Sequence, residues 1–552
     1  MKGELTETAV YRRYYLNRLS ANASFRKYKL ELKGNFQYNQ LKTWEGNDFN
    51  FLIPAKNIQS AYSVTAVTTR PQFIGGAGAY YQFNDGDYIS ANSSFRSQRE
   101  TFPIYTSSYL KDPAVDQQTM TGNFNHGKVR FLTSNVNYNN KLKSIHSNLF
   151  VGAQHTLLTQ DTHSEIYNAT NGNDRSLTRI TGQAHVIRAL SGKADFESTF
   201  SEHVKLEAGA AVSHAFSNGG TDAREIAPPA VRQAEFGYQE NSLAVYSGAS
   251  GKVKKLSYSG GVRLENNHTN SRYQENGAVS HIDRKSTQLF PKADVSIPID
   301  SSSSISVKYA RNITRPDYSN ANQYAVYINP YFEWANNINL RPSVTEEVGV
   351  TFQRQQWSVA LSLYQVRGPV YSYFDYDDND SKLRRTDINY DYESGVNLSV
   401  AIPFKAGIWT STNVLNGFLS SVRDAAAQQG AARPYFYFHS SNQFNLPHDF
   451  VFTLTGWAVT KSQLGAIERS GLYSVDSSVT RKFKKFSCSA RFNNMFRSIV
   501  PGEQFAINEV AANGFYRDNS RAFALSFSYS IGKLREARFT NKDVDENLNR
   551  VN

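Results

Sequence analysis

The feature that most constrains this chain is a strict alternation of apolar and polar residues over long segments. In residues 28–39 (YKLELKGNFQYN), the even positions are apolar or glycine, and the odd positions are charged or carry an amide. The same alternation recurs in residues 203–214 (HVKLEAGAAVSH) and 523–531 (FALSFSYSI). Successive side chains of a strand point to opposite faces, so each segment predicts a strand with one apolar and one more polar face. Helical periodicity of any length is hard to find, and we expect a nearly all-β chain.

The connections between these segments alternate between short and long. In VGVTFQRQQWSVALSLYQV, the apolar positions continue on one face across a tight turn at Arg354-Gln355. Further short turns are expected at 26–27, 139–143, 201–203, 299–303, 403–407, 446–449 and 482–485. Longer polar connections are expected at 39–58, 160–176, 266–287 and 315–343. This rhythm is typical of a transmembrane β-barrel with tight periplasmic turns and long extracellular loops, whereas a soluble sandwich spaces its turns more evenly.

A large membrane barrel also explains two continuous faces of opposite character. Its apolar face contacts lipid and its polar face lines a wet lumen, while closure satisfies every backbone group inside the bilayer. At about 25 residues for each strand and its connection, 552 residues predict roughly 20–22 strands, which is wide enough to hold a plug. We therefore expect one antiparallel outer-membrane barrel over residues 1–532. Residues 533–552 are expected to form a polar periplasmic tail.

Composition narrows the remaining classes of protein. The single cysteine excludes an internal disulfide or a thiolate metal cluster, and no apolar run reaches the ~18 residues of a membrane helix. Lys and Arg exceed Asp and Glu by 60 to 48, but they are dispersed and form no nucleic-acid-binding motif. We expect no nucleic-acid partner. The phosphates of lipopolysaccharide, beside outer-membrane lipid, are the expected partners of external basic residues.

An ordered series of segments resembles the TonB-dependent receptors of the Bacteroidota type. The segments that resemble successive barrel hairpins are 191–214 (SGKADFESTFSEHVKLEAGAAVSH), 236–266 (FGYQENSLAVYSGASGKVKKLSYSGGVRLEN), 289–316 (LFPKADVSIPIDSSSSISVKYARNITRP) and 328–352 (INPYFEWANNINLRPSVTEEVGVTF). RFNNMF at 491–496 resembles the penultimate-strand motif, and residues 526–552 resemble the last strand and a short tail. The similarity covers most of the chain and is clearest from about residue 129 onward.

This resemblance implies import of a scarce ligand (a metal chelate, a glycan or a peptide), driven through TonB. Members of that family carry a signal peptide, a TonB box and a plug domain before the barrel, and the printed sequence contains none of them. The turns indicate that the chain begins at about the second barrel strand. We expect truncation to account for the missing plug; the alternatives are a plug supplied by another chain or loops folded into the lumen. In a full-length transporter the partners would include the plug domain, TonB and a surface lipoprotein.

One loop is a candidate for ligand binding. Residues 324–334 (YAVYINPYFEW) concentrate the aromatic residues Tyr324, Tyr327, Tyr331, Phe332 and Trp334. Such large amphipathic side chains can stack on a glycan or another flat ligand. They can also belong to the aromatic girdle at the outer membrane interface or pack within the loop, and we favour this second interpretation.

A second loop is a candidate for calcium binding. The segment YSYFDYDDNDSK offers the carboxylates of Asp375, Asp377, Asp378 and Asp380, oxygen donors of the kind that Ca²⁺ prefers. It lacks the glycine and terminal glutamate of an EF-hand loop, so we favour a solvated external loop and expect no other cofactor.

Two alternatives to a transporter remain. The first is a non-transporting barrel that serves as a structural or anchoring subunit of a membrane complex. The second is a barrel enzyme, which would need a Ser–His pair within hydrogen-bond reach on neighbouring strands. The chain has no Gly-x-Ser-x-Gly or His-Glu-x-x-His motif, and we do not expect it to be an enzyme.

Overall fold

The protein is almost entirely β-structure. The computed structural model describes residues 2–201, 203–226, 229–321, 325–378, 381–424, 433–517, 519–532, 544 and 548–551. Twenty-two strands of this described chain form one closed wall. These wall strands are β1 (Lys2–Tyr11), β2 (Tyr15–Lys27), β3 (Leu30–Ile53), β4 (Ile58–Asn84), β5 (Asp87–Thr101), β7 (Asp116–Leu142), β8 (Ser147–Thr170), β9 (Ser176–Ser201), β10 (Val204–Ile226), β11 (Pro229–Val253), β12 (Leu256–Glu275), β13 (Ala278–Pro298), β14 (Ser303–Thr314), β17 (Ser343–Arg354), β18 (Trp357–Arg367), β21 (Tyr392–Ala406), β22 (Trp409–Arg423), β23 (Tyr435–Leu446), β24 (Phe450–Val459), β27 (Leu472–Lys482), β28 (Phe486–Asn493) and β31 (Ala522–Ile531).

Shorter elements lie in the connections. The remaining described strands are β6 (Ile104–Lys111), β15 (Ala325–Asn329), β16 (Phe332–Ala335), β19 (Val370–Asp377), β20 (Lys382–Asn389), β25 (Ser462–Leu464), β26 (Ile467–Arg469), β29 (Gly502–Ile507) and β30 (Val510–Arg517). Single 3₁₀ turns occur at Pro54–Lys56, Lys143–Ile145, Tyr318–Ala321 and Leu548–Arg550. Among the described residues, no helix has the length and apolar character needed to cross a membrane.

The first and last strands close the wall. β1 pairs antiparallel with β31 from Gly3 opposite Ile531 to Tyr11 opposite Phe523, and its other edge pairs with β2. On one face of this seam, hydroxyl pairs continue across the strands, with Thr6 Oγ1 2.9 Å from Ser528 Oγ. The predicted all-β barrel of about 20–22 strands is confirmed. The expectation that a first strand is lacking differs from the structure, because β1 completes the ring.

The two faces of the wall have the predicted characters. On β10 and β11, Leu206, Val212 and Leu243 point outward and are 42%, 55% and 56% exposed. The opposite face, which lines the lumen, buries polar side chains such as Glu240 and Ser217. An exposed apolar band around a polar interior is the arrangement expected of a barrel with lipid outside and water inside.

The short turns lie at one end of the wall and the long connections at the other. The hairpin between β17 and β18 turns at 355–356, one residue beyond the expected position, and Gln355 has a φ of 53°. At the other end, three connections predicted as loops (39–58, 160–176 and 266–287) are largely strand. β3 and β4, for example, remain paired up to Ile53 opposite Ile58. Continuing the ladder satisfies backbone groups that a polar loop would leave to solvent, so these hairpins rise as extensions of the wall.

Residues 533–552 are expected to form a polar periplasmic tail, but the described residues Val544, Arg550 and Val551 lie against the lumenal face of the wall. Arg550 and Val551 are buried, at 8% and 3% exposure, and both contact residues on the lumenal face of the wall. The side chain of Val544 also lies against the lumenal face, beside Gly152. A buried carboxylate on the wall, Glu240, binds Arg550 and so draws this end of the chain into the lumen.

The opposite characters of the two faces predict a sharp difference between neighbouring substitutions. Leu361 is near the middle of β18 on the outer face, and Ser362 follows it on the lumenal face. Leu361→Arg should lower the free energy of unfolding in lipid by about 2–4 kcal/mol, because a guanidinium at the bilayer midplane loses hydration. Ser362→Arg should lower the free energy of unfolding clearly less, because the lumenal face is in contact with water. Urea titrations in phospholipid vesicles, read by the heat-sensitive gel mobility of folded barrels, would measure both; equal losses would contradict the assignment of faces.

Candidate functional site

Two external connections meet at the open end of the barrel and form a separate four-stranded sheet. This mouth sheet has the order β15–β16–β20–β19, with β15 and β16 from the connection before β17, and β19 and β20 from the connection after β18. β16 and β20 run parallel, and Leu383 N donates to the carbonyl oxygen of Tyr331 at 2.8 Å. Each connection therefore holds the other in place, so the sheet is a single unit at the mouth.

The mouth sheet packs on aromatic side chains from the wall. We call Phe51, Tyr62, Phe332, Phe374 and Phe505 the mouth cluster. The ring centroid of Phe332 lies 5.5 Å from that of Phe51 and 5.3 Å from that of Tyr62. The rings of Phe374 and Phe505 stack at 4.4 Å. Aromatic pairs of this kind contribute about 0.5–1.5 kcal/mol each beyond the burial of their surface, so the cluster fixes the sheet on the mouth.

Hydrogen bonds tie the first edge of the mouth sheet to the wall. The hydroxyl of Tyr331 is 2.9 Å from Thr119 Oγ1, and Asn168 Nδ2 donates to the hydroxyl of Tyr327 at 3.2 Å. Thr106 Oγ1 donates to the carbonyl oxygen of Ile328 at 3.1 Å. Burial raises the pKa of Tyr327 to about 12 and also raises the pKa of Tyr331. The raised pKa values follow from the burial of both phenols in the mouth, where these hydrogen bonds satisfy their hydroxyl groups.

The accessible part of the mouth sheet carries an aromatic ring beside a cation. Trp334 is 42% exposed, and the guanidinium of Arg385 lies 4.4 Å from its ring centroid. Behind them, the buried carboxylate of Glu333 accepts a hydrogen bond from Arg384 Nε at 2.8 Å and pairs with Lys382 at 3.5 Å. Arg385 is half-buried, and its Nε and Nη2 donate to Ser372 Oγ at 3.3 and 2.9 Å. This surface can therefore offer a ligand the flat ring of Trp334 and the remaining guanidinium donors of Arg385.

The structure separates the aromatic residues that the sequence grouped together. Tyr324 lies outside the described residues. Tyr331 and Phe332 are buried at 8% and 6% exposure inside the mouth, so the loop-packing interpretation describes them and a lipid-facing girdle does not. Tyr327 is half-buried against the wall, and only Trp334 of the described four presents a largely open face. Contact of this set with a ligand stays a prediction.

The acidic loop is tied into the wall by a lysine. Asp378 Oδ2 accepts from Lys56 Nζ at 2.9 Å, and the same nitrogen contacts Glu509 at 2.9 Å. These hydrogen bonds, that to Glu509 first, raise the pKa of Lys56. Asp375 and Asp377 lie on β19, and Asp380 falls outside the described residues. Within the described ranges no three acidic, histidine or cysteine side chains converge on a metal position, and calcium binding stays a prediction.

Sequence reasoning missed the wall side of the mouth, although one signal was present. On β3 the odd positions of 28–39 are polar, but Phe49, Phe51 and Ile53 are odd positions too, and they are buried at 5% or less. The apolar face therefore changes from outside to inside where the strand leaves the bilayer. A cavity of about 670 Å³ adjoins this region and is lined partly by Phe51, Phe505 and Glu468.

Comparison with known proteins places the barrel. Residues 140–529 match the model of the outer membrane protein beta-barrel family, which covers more than half of the chain. The chain belongs to this family. It is therefore an outer-membrane protein, as the alternating faces predict. No curated protein sequence matches it.

Solved structures of outer-membrane receptors share the fold of this family member. The ferric-catecholate import receptor Fiu from E. coli K12 aligns with a TM-score of 0.61 at 10% identity, over 96% of this chain and 81% of that one. The ferric yersiniabactin uptake receptor FyuA from Yersinia pestis gives 0.61 at 12% identity, over 96% and 80%. The siderophore receptor PirA from Pseudomonas aeruginosa gives 0.54 at 12% identity, also over 96% and 80%. At these identities the similarity establishes a common barrel architecture.

The mouth cluster predicts how the mouth sheet is retained. Phe332→Ala should accelerate amide exchange in β16 and β20 by about a hundredfold or more, since truncating a buried Phe costs about 3–5 kcal/mol. Trp334→Ala, two residues further along the same strand, removes a side chain that is 42% exposed and should change exchange far less. Hydrogen–deuterium exchange with mass spectrometry measures both, with β18 as an internal reference. Equal protection in the two variants would show that the cluster does not hold the sheet.

Proposed function

We propose that this chain is the barrel of a TonB-dependent outer-membrane transporter that takes up a scarce ligand. The observation that carries the proposal is the closed ring of 22 strands around a polar lumen. Barrels of eight strands are filled by their own side chains, whereas 22-stranded outer-membrane transporters enclose a lumen that a plug must fill. In this proposal a plug domain and TonB are the partners that allow the barrel to transport a ligand through its lumen.

The ligand class is proposed to be a metal chelate, with a glycan or a peptide as the other candidates. The three receptors compared above are named for siderophores or for ferric chelates, and this supports placing a metal chelate first. Their sequences are only 10–12% identical to this one, so the choice of ligand is our proposal. Trp334 with Arg385 offers a flat ring and a guanidinium at the mouth, which suit a planar anionic chelate.

The alternative function is a non-transporting barrel that anchors a membrane complex. One observation favours it: the mouth sheet is packed on a buried cluster and bonded to the wall, as suits a static cap. A transporter needs the same sheet to admit a ligand. Lipopolysaccharide and a surface lipoprotein are further proposed partners, and either function can accommodate them.

An uptake experiment separates the two functions. In the native host, deletion of the gene should lower uptake of at least one labelled compound from a panel of ferric chelates, oligosaccharides and peptides. An uncoupler should abolish the same uptake, because TonB draws on the proton gradient. The intact gene should restore it, and Trp334→Ala with Arg385→Ala should restore about tenfold less, the loss of one or two charge-assisted or stacking contacts.

The control variant is Ser362→Arg, which alters the lumenal wall near the middle of β18 and leaves both the outer face and the mouth sheet unchanged. If deletion lowers uptake of none of the compounds while the barrel co-purifies in a stable complex, the transporter proposal fails and the anchoring function takes its place.

A further inference from the structure

The last described residues of the chain bind at a specific position on the lumenal wall. We call residues 548–551 the C-terminal latch. Residues Leu548–Arg550 form a 3₁₀ turn, and Val551 packs in a buried cluster with side chains of the wall. The wall residues of that cluster are Val129, Leu158, Ile187, Ala189 and Ala215, and Tyr318 joins them from the connection after β14. The end of the chain is therefore held by both a charged and an apolar side chain.

The charged contact uses nearly every donor of one guanidinium. Arg550 Nη1 and Nη2 donate to the two oxygens of Glu240 at 2.7 and 2.9 Å. Arg550 Nε donates to the carbonyl oxygen of Pro316 at 2.9 Å, and Nη1 also donates to the hydroxyl of Tyr318 at 3.1 Å. The ring of Tyr318 lies 4.0 Å from the guanidinium carbon. Tyr238 donates its hydroxyl proton to Glu240 at 2.5 Å and orients the carboxylate.

This combination of groups selects a guanidinium. Two parallel carboxylate contacts match its planar fork, the Tyr318 ring matches its flat face, and the carbonyl of Pro316 accepts the remaining Nε proton. A lysine would supply one point charge and could not make the paired contact. Glu240 is 4% exposed, and a buried carboxylate without a cation would be strongly destabilising. Arg550 makes the paired contact with this carboxylate, and Arg315 lies close enough to add to the positive charge around it.

The geometry points to a guanidinium socket on the lumenal wall, formed by Glu240, Tyr238, Tyr318 and Pro316, whose occupant is Arg550 of the same chain. The latch covers a strip of the lumen, so anything that fills the barrel must fit around it or displace it. This inference concerns the chain's own end and does not depend on whether the barrel transports a ligand.

A second contact along the same segment supports the position of the latch. Val544 lies against the lumenal face of β8, where Gly152 leaves room for it: a Cβ at Gly152 would lie 2.5 Å from Val544 Cγ2. Ser147, at the turn end of β8, is five residues from Gly152, whereas Glu240 is further from the turn end of its own strand, β11. The segment therefore contacts the wall at two levels.

Thiol labelling of the 552-residue chain in detergent tests the latch. In a Cys488→Ser background, which removes the one native thiol, Val551→Cys places a thiol at a position 3% exposed, and Asn549→Cys places one at an exposed neighbour. Val551→Cys should react with a polar maleimide at least about tenfold more slowly than Asn549→Cys. Adding Glu240→Gln or Arg550→Ala should bring the two rates together, and Arg550→Lys should give an intermediate rate.

Each outcome decides the inference. Equal rates for the two thiols in the otherwise unchanged chain would show that no latch exists and would overturn the inference. A slow Val551→Cys that neither Glu240→Gln nor Arg550→Ala accelerates would overturn the guanidinium socket. Arg550→Ala changes only the chain end and leaves the wall intact, so it remains informative if Glu240→Gln prevents folding. Heat-sensitive gel mobility reports folding of every variant.

Discussion

The hydrogen bonds between β1 and β31 close the sheet, and the other features of the protein depend on that closure. An open edge would leave backbone groups unpaired in the bilayer, where water cannot satisfy them. Once the ring is closed, its outer face must suit lipid and its inner face can hold water. The exposed apolar side chains of β10 and β11 and the hydroxyl pairs at the seam are consequences of the same constraint. A ring of 22 strands also creates a lumen too wide for wall side chains to fill.

The character of the inner face changes along the barrel axis. Within the bilayer it is polar, as in residues 28–39, but at the mouth Phe49, Phe51 and Ile53 turn the same face apolar. Outside the membrane the wall meets water on its outer side, so an apolar core inside again becomes favourable. The mouth sheet covers this core and carries the exposed ring of Trp334 with the half-buried guanidinium of Arg385 beside it. The external end thus packs like a small soluble barrel above a membrane barrel.

Much of the fold could be predicted from local pattern. Period two identified the strands and their outward-facing apolar residues, and the tight turn expected at Arg354-Gln355 lies one residue later, at 355–356. The extent of the external strands was not predicted, because the polar residues of 39–58 and 160–176 read as loops while their backbone continues the ladder. The candidate site was found in part: the loop aromatics were identified, but Phe51 and Phe505 come from distant strands that no spacing connects. Which aromatic side chains become buried depends on the contact between those strands and the mouth sheet in the folded protein.

The sequence by itself determined that this protein is a membrane β-barrel, because alternation with period two is a local property and each strand carries its own two faces. It also determined the approximate strand number through chain length. Only the tertiary structure decided that β1 completes the ring, that two loops pair into one mouth sheet, and that Arg550 reaches Glu240 across 310 residues of chain. Those outcomes depend on which surfaces come face to face when the ring closes. The spacing of residues along the chain does not determine which distant residues then become neighbours.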